Sequence, residues 1–282
     1  MYKIDAHQHF WKYKRAEYGW IDERMLSIRH DFLPEDLRKE MASASVNGAI
    51  SVQARQSLDE TQTLLRMAEE NDFIKAVVGW VPLIHPDLER LLPTVAAHPK
   101  LRAVRHILHD EADDLYMLRD DFNRGIGGLK PYHLAYDILI FERHLPQTIQ
   151  FVDRHPEQLF VLDHLAKPRA KDGLIEPWAG NLGELARRPN VYCKISGLVT
   201  EADWERWTAD GLRPYFEMCL QVFGPRRLMF GSDWPVCLVA TSYQRWVETV
   251  SGWVGNLSND EQSRIWSGTA VEAYRLQDAS RS

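Results

Sequence analysis

The sequence predicts an α/β chain folded as a single (β/α)8 barrel, and three observations lead there. Eight short runs of strand-like composition fall at residues 3–7, 49–53, 76–81, 103–106, 136–141, 159–164, 191–196 and 228–233. Apolar residues at helical spacing fill most of the intervals between them, and no low-complexity linker divides the chain. Strands that alternate with helices build parallel βαβ units, and eight such units suit a closed barrel better than an open sheet. The length of 282 residues is within the range of one such barrel. The expected division is a barrel over residues 1–276 and a polar tail over 277–282.

Three of the helical patterns have local signals of their own. The helical pattern over 33–46 enters through Pro34, whose fixed φ suits a first turn, and stops before Gly48. The pattern over 58–71 carries Asp59 and Glu60 where the helix dipole favours acids. The pattern over 145–155 stops at Pro156. After the first strand comes a long aromatic stretch, residues 10–31, with Trp11, Tyr13, Tyr18 and Trp20. It follows a strand, so it lies on the C-terminal face of the barrel, where a long loop acts as a lid over a ligand.

Composition narrows the function. The chain is 45% hydrophobic and 26% charged with a net charge of −6, both signs mixed. That excludes the basic stripe of a nucleic-acid-binding surface. No run approaches the ~18 apolar residues of a membrane span, and the N-terminus lacks the pattern of a secretory signal. The three cysteines, Cys193, Cys219 and Cys237, form no CxxC pair, which fits a reducing cytoplasm.

Three strand ends carry the chemistry. In Asp5-Ala6-His7-Gln8-His9, residues two apart on a strand share a face, so His7 and His9 point into the barrel mouth together. Two neutral imidazoles on a rigid edge make half of a divalent-metal site. The apolar run before Asp163-His164 ends in a histidine on the same rim. In Gly231-Ser232-Asp233-Trp234-Pro235, Gly231 permits close backbone approach and Asp233 stands at the rim of the last strand. A closed barrel sets its last strand beside its first, so Asp233 meets His7 and His9. An aspartate there stays ionised and accepts a proton from water. His7, His9, His164 and Asp233 are therefore the expected metal ligands, with Asp233 and His164 in catalysis. Trp11, Gln53, Arg55, Arg105, His106, Lys194 and Trp234, near other strand ends, are the expected substrate contacts. Trp80, Trp178, Trp204, Trp207, Trp246, Trp253 and Trp266 are assigned mostly to packing.

These segments, together with Val52-Gln53-Ala54, Val104-Arg105, Asp163-His164-Leu165-Ala166-Lys167-Pro168 and Lys194-Ile195-Ser196-Gly197-Leu198, resemble the amidohydrolase superfamily over about residues 3–276. Within it the chain is most similar to the lactonase branch that opens L-fucono- and L-rhamnono-lactones. The resemblance implies one divalent metal, zinc before others, weakly held or dispensable in some members. The fourth strand ends Ala103-Val104-Arg105-His106, without the lysine that bridges two metals in other members. The implied activity is hydrolysis of a sugar-acid lactone. Asp233 activates water, and a metal or a protonated His164 steadies the oxyanion. A decarboxylase or dicarboxylate lactonase of the same superfamily is the alternative, with Arg55 and Arg105 as its carboxylate-binding pair. A non-catalytic ligand-binding barrel is a further one. A small-molecule lactone is the expected partner, and homo-oligomerisation is compatible with this reading.

Overall fold

The computed structural model describes residues 1–276; the expected polar tail, 277–282, lies outside the described residues. Eight parallel strands follow in spatial order: β1 (Ile4–Gln8), β2 (Gly48–Val52), β3 (Ile74–Gly79), β4 (Leu101–Ile107), β5 (Ala135–Leu139), β6 (Phe160–Leu162), β7 (Val191–Ile195) and β8 (Leu228–Phe230). Each expected run coincides with one of them. The main helices are α1 (Pro34–Ser43), α2 (Leu58–Glu70), α3 (Leu88–Ala96), α4 (Asp120–Gly127), α5 (Leu145–Asp153), α6 (Trp178–Ala186), α7 (Ala209–Phe223) and α8 (Tyr243–Val254). Two short helices, α9 (Asn259–Ser263) and α10 (Thr269–Ala273), follow after the last crossover. None of the described helices is long and apolar enough to cross a membrane. The three cysteines are buried and unpaired.

Two apolar layers hold the barrel together. The outer one packs strand residues such as Val77, Val104, Ile138 and Leu162 against the helices. The inner one comprises Ile4, Ala6, Ile50, Val52, Ala76, Val78, Ala103, Ala135, Val161 and Met229. Barrel interiors are normally filled by branched side chains. Here alanines on β3, β4 and β5 leave space, and Tyr274, at the end of α10, fills it from the N-terminal side.

The strands that carry site residues depart from regular geometry. Three steps along β1, from Asp5 to Gln8, match two along β2, from Ala49 to Ser51, so β1 holds one extra residue. This bulge lets Ala6 pack in the inner layer while His7, the next residue, also faces inward. The sixth and eighth strands end sooner than expected, at Leu162 and Phe230. The reason is local: His164 and Asp233 have φ of 53° and 59°, left-handed values that end strand pairing.

Asp5 closes the barrel. Its carboxylate is fully buried and accepts bonds from Ser232 N (2.8 Å), Ser232 Oγ (2.6 Å) and His7 N (3.1 Å). Beyond it, Asp233 N donates to His7 O (2.8 Å) and His9 N to Trp234 O (2.7 Å). We expect Asp5→Ala to lower stability by about 2–4 kcal/mol, because it strips a buried amide and a buried hydroxyl of their acceptor. A urea-denaturation midpoint equal to that of the parent protein would contradict this.

Candidate active site

Three imidazoles and one carboxylate meet at the C-terminal mouth. Asp233 Oδ1 lies 3.3 Å from His9 Nε2, 3.8 Å from His7 Nε2 and 3.9 Å from His164 Nε2. All four side chains are nearly or wholly buried. Gly231 makes the approach of β8 to β1 possible: a Cβ there would sit 2.8 Å from that of His7.

Each ring is held from behind by its Nδ1. His9 Nδ1 lies 2.8 Å from the Val52 carbonyl, which only accepts, so Nδ1 carries a proton. His7 Nδ1 lies 3.2 Å from the Asp163 carboxylate, and His164 Nδ1 lies 2.9 Å from Ser196 Oγ. The three Nε2 atoms therefore turn toward Asp233. Burial first, with Lys194 adding to it, holds His7 well below the usual imidazole range despite Asp163. Burial does the same to His164. The expected protonated His164 is thus replaced by a neutral ring. Burial opposes ionisation of Asp233, yet His164, His9 and Lys167 together hold its carboxyl below the ordinary value.

This donor set fits a divalent cation. His7, His164 and Asp233 offer ligand atoms within 4.8 Å of one another. An imidazole tied at Nδ1 to a carboxylate, as His7 is to Asp163, is a common support for a metal-binding ring. His9 Nε2 is 3.2 Å from His7 Nε2 at the edge of that triple.

The expected substrate contacts sort differently. The cavity above Asp233 encloses about 350 Å³, and of those seven residues Arg105 alone lines it. Trp11 and Trp234 are 2% and 1% exposed. Trp11 Nε1 donates to His30 O, and Trp234 packs edge-on against Phe10 and Phe32. Gln53 is buried against Arg105, accepting at its backbone carbonyl and donating from Nε2 to Arg105 O. Arg55 turns to Glu17 and Glu60 and lies over the Tyr18 ring. His106 alternates to the outer face of β4, stacked on Tyr116 and bonded to Glu111. Strand alternation that points Arg105 inward necessarily points His106 outward.

Lys194 does face inward, as alternation predicts, but beneath the site. It is 0% exposed and paired with Asp137 and Asp163, the latter at 3.0 Å. Tyr274 Oη donates to Asp137 (2.8 Å), and Arg105 Nη1 donates to Asp163 (2.9 Å). Lys194, His7 and Arg105 overcome burial and hold Asp163 well below the usual carboxylate range.

Sequence reasoning missed most of the cavity wall. The lid supplies Trp20, Asp22, Arg24 and Met25. The ends of β4 and β5 supply an apolar side, Ile107, Leu139 and Phe141. Lys167 follows β6, and Glu201 and Trp204 follow β7. Trp20 was legible as part of the aromatic lid, whereas Trp204, assigned to packing, lines the cavity instead.

A family model described as amidohydrolase matches residues 4–276. The chain belongs to the amidohydrolase family. Among similar amidohydrolases is an L-fucono-1,5-lactonase of Burkholderia multivorans, 44% identical over 97% of this chain and 96% of that protein. An L-fucono-1,5-lactonase of Burkholderia ambifaria is 36% identical over 98% of this chain and 96% of its own. A crystal structure of a Burkholderia multivorans amidohydrolase with bound zinc superposes at a TM-score of 0.94 and 42% identity, covering 98% of this chain and all of that one.

The buried lysine of this amidohydrolase yields a direct test. Lys194→Met leaves Asp137 and Asp163 buried with reduced compensation and should cost about 3–5 kcal/mol of stability, as removal of one partner from a buried ion pair does. Chemical denaturation measures this, and a variant as stable as the parent would refute the structural role.

Proposed function

We propose that the chain is a hydrolase that opens a sugar-acid lactone, L-fucono-1,5-lactone or a related 6-deoxy sugar lactone, to its hydroxy acid. The observation that carries this reading is a carboxylate facing three imidazoles on the floor of a cavity of sugar size. Similarity to two L-fucono-1,5-lactonases over nearly the whole chain supports it.

Asp233 acts as general base. It takes a proton from water as the water oxygen attacks the lactone carbonyl carbon. Charge then gathers on the carbonyl oxygen, and a preorganised cation lowers the barrier there. Arg105 is permanently charged, lines the cavity and stands 3.3 Å from His7 Nε2. Collapse of the tetrahedral adduct breaks the bond from the carbonyl carbon to the ring oxygen, and Asp233 returns its proton to that oxygen. An alkoxide leaves more readily than an amide nitrogen, so one base and one electrophile suffice.

His7, His164 and Asp233, with His9 beside them, would hold one divalent cation, zinc before others. When bound, the cation would polarise the lactone carbonyl. A reducing cytoplasm suits the three unpaired cysteines.

The dicarboxylate alternatives need a pair of arginines at the substrate. Arg55, engaged with Glu17 and Glu60 away from the cavity, does not form that pair with Arg105. The retained, ionised Asp233 argues against a non-catalytic barrel.

With L-fucono-1,5-lactone as substrate and a pH indicator reporting acid release, the parent protein should raise the rate above spontaneous hydrolysis. Asp233→Asn should lower kcat/KM by about 10²–10⁴-fold, the usual contribution of a general base. Unimpaired turnover by that variant would remove Asp233 from the reaction. Metal analysis after dialysis against zinc should find a single equivalent in the parent protein and less in His164→Ala; equal retention by both would place the cation elsewhere.

A further inference from the structure

We propose that Lys167 and Glu201 form a pair that reads the adjacent ring hydroxyls of the substrate and so determines specificity. This inference rests on the lactonase reading. It concerns recognition, whereas Asp233 and the histidines concern bond cleavage.

Lys167 Nζ donates to Glu201 Oε1 at 2.6 Å, and both side chains line the cavity that contains Asp233. They are only 16% and 20% exposed, so the pair is shielded but reachable from the cavity. Neither residue makes a side-chain hydrogen bond to Asp233 or to the three histidines among the described residues. The pair therefore shares the cavity of the proton-transfer groups without a direct hydrogen bond to them, and acts on Asp233 only through the charge of Lys167.

The backbone supports a dedicated role. His164, Leu165, Ala166 and Lys167 have φ of 53°, 55°, 59° and 50°, four successive non-glycine residues in the left-handed region. That region disfavours L-residues, and such residues normally enter it singly. The run persists because its surroundings fix it. Leu165 and Ala166 are fully buried, Trp178 Nε1 donates to Leu165 O (2.7 Å), and Lys167 N donates to His164 O (2.7 Å). Gly197, at φ 61°, leaves room for the His164 ring where a Cβ would come within 2.4 Å of Nδ1. One left-handed residue, His164, would suffice to stop the strand pairing of β6, which ends at Leu162. Its continuation through Lys167 brings that side chain back to the same cavity, and strain of this kind concentrates where function requires a geometry.

The chemistry of the pair matches a polyhydroxylated neutral ring. An ammonium donates and a carboxylate accepts, so two neighbouring hydroxyls can each bond to one member while the two charges still balance. Trp204, whose Nε1 donates to Thr200 O (2.9 Å), stands in the same segment as Glu201 and offers an aromatic face for the apolar side of a sugar. A charged substrate would instead leave one member of the pair facing a like charge.

The test compares two six-membered lactones, L-fucono-1,5-lactone and unsubstituted δ-valerolactone, with rates corrected for spontaneous hydrolysis. Lys167→Met/Glu201→Gln removes both charges together, and Glu201→Gln alone is a milder variant of unchanged shape. We expect the ratio of kcat/KM for the sugar lactone to that for δ-valerolactone to fall at least tenfold in the double variant. In Glu201→Gln it should fall in the same direction, with the loss mainly in KM. A ratio unchanged within twofold in both variants, with the parent protein active on the sugar lactone, overturns the pair's role and leaves the lactonase reading intact. A parent protein that opens δ-valerolactone but not the sugar lactone overturns the sugar-lactone reading and this inference with it.

Discussion

The site depends on the seam between β8 and β1. The two strands are the most distant in sequence and must meet in space for Asp233 to face His7 and His9. A buried carboxylate, Asp5, joins them by accepting from Ser232 on one strand end and from His7 on the other. Burial raises the Asp5 pKa to about 6, even with bonds from Ser232 and His7 pulling the other way. The same bonds pin the extra residue of β1, and that bulge turns His7 inward directly after Ala6. Barrel closure and the placement of the first imidazole are thus one event. A more regular β1 would send His7 toward the helices.

Beneath the site, charge is balanced in a layer of which Arg105 alone also lines the cavity. Lys194 and Arg105 offset Asp137 and Asp163, and Asp163 in turn holds His7 by its Nδ1. Buried ion pairs add little net stability, because desolvation consumes most of the attraction. Their value here is orientation. A ring clamped at Nδ1 presents Nε2 in one direction, and preorganised groups need no rearrangement when charge develops in the reaction. Tyr274 extends this layer to the C-terminal helix, so the last described segment of the chain takes part in supporting the first histidine.

Much of the architecture was legible because it follows from periodicity. Eight apolar runs, helical spacing between them and the rule that barrel sites occupy the C-terminal mouth placed His7, His9, His164 and Asp233 on one rim. Alternation also placed Lys194 inward. Direction was legible, but depth was not. Lys194 lies one layer below the cavity because Asp137 and Asp163 draw its ammonium to them, and neither aspartate stood out in an apolar run. Trp11 and Trp234 adjoin site residues in sequence, yet the folded lid and the β8–β1 seam enclose them. The remaining cavity wall comes from loops, where no period links a residue's number to the direction of its side chain. Trp204 and Glu201 follow β7 in such a loop, with nothing in composition to separate them from packing residues.

The division between strand ends and loops has a physical basis. The proton transfer proposed for Asp233 tolerates little displacement, since a shift of about 1 Å can cost about a hundredfold in rate. Its partners therefore sit on hydrogen-bonded strands or directly at their ends. Recognition of hydroxyl positions needs a surface that can vary without disturbing that frame, which loops supply. The left-handed turn at residues 164–167 belongs to both regimes. It begins with a histidine of the reacting centre and ends with a lysine on the cavity wall. Its fixed geometry holds Lys167 in a set relation to Asp233, so in the proposed function a ring bound by one is aligned for the other.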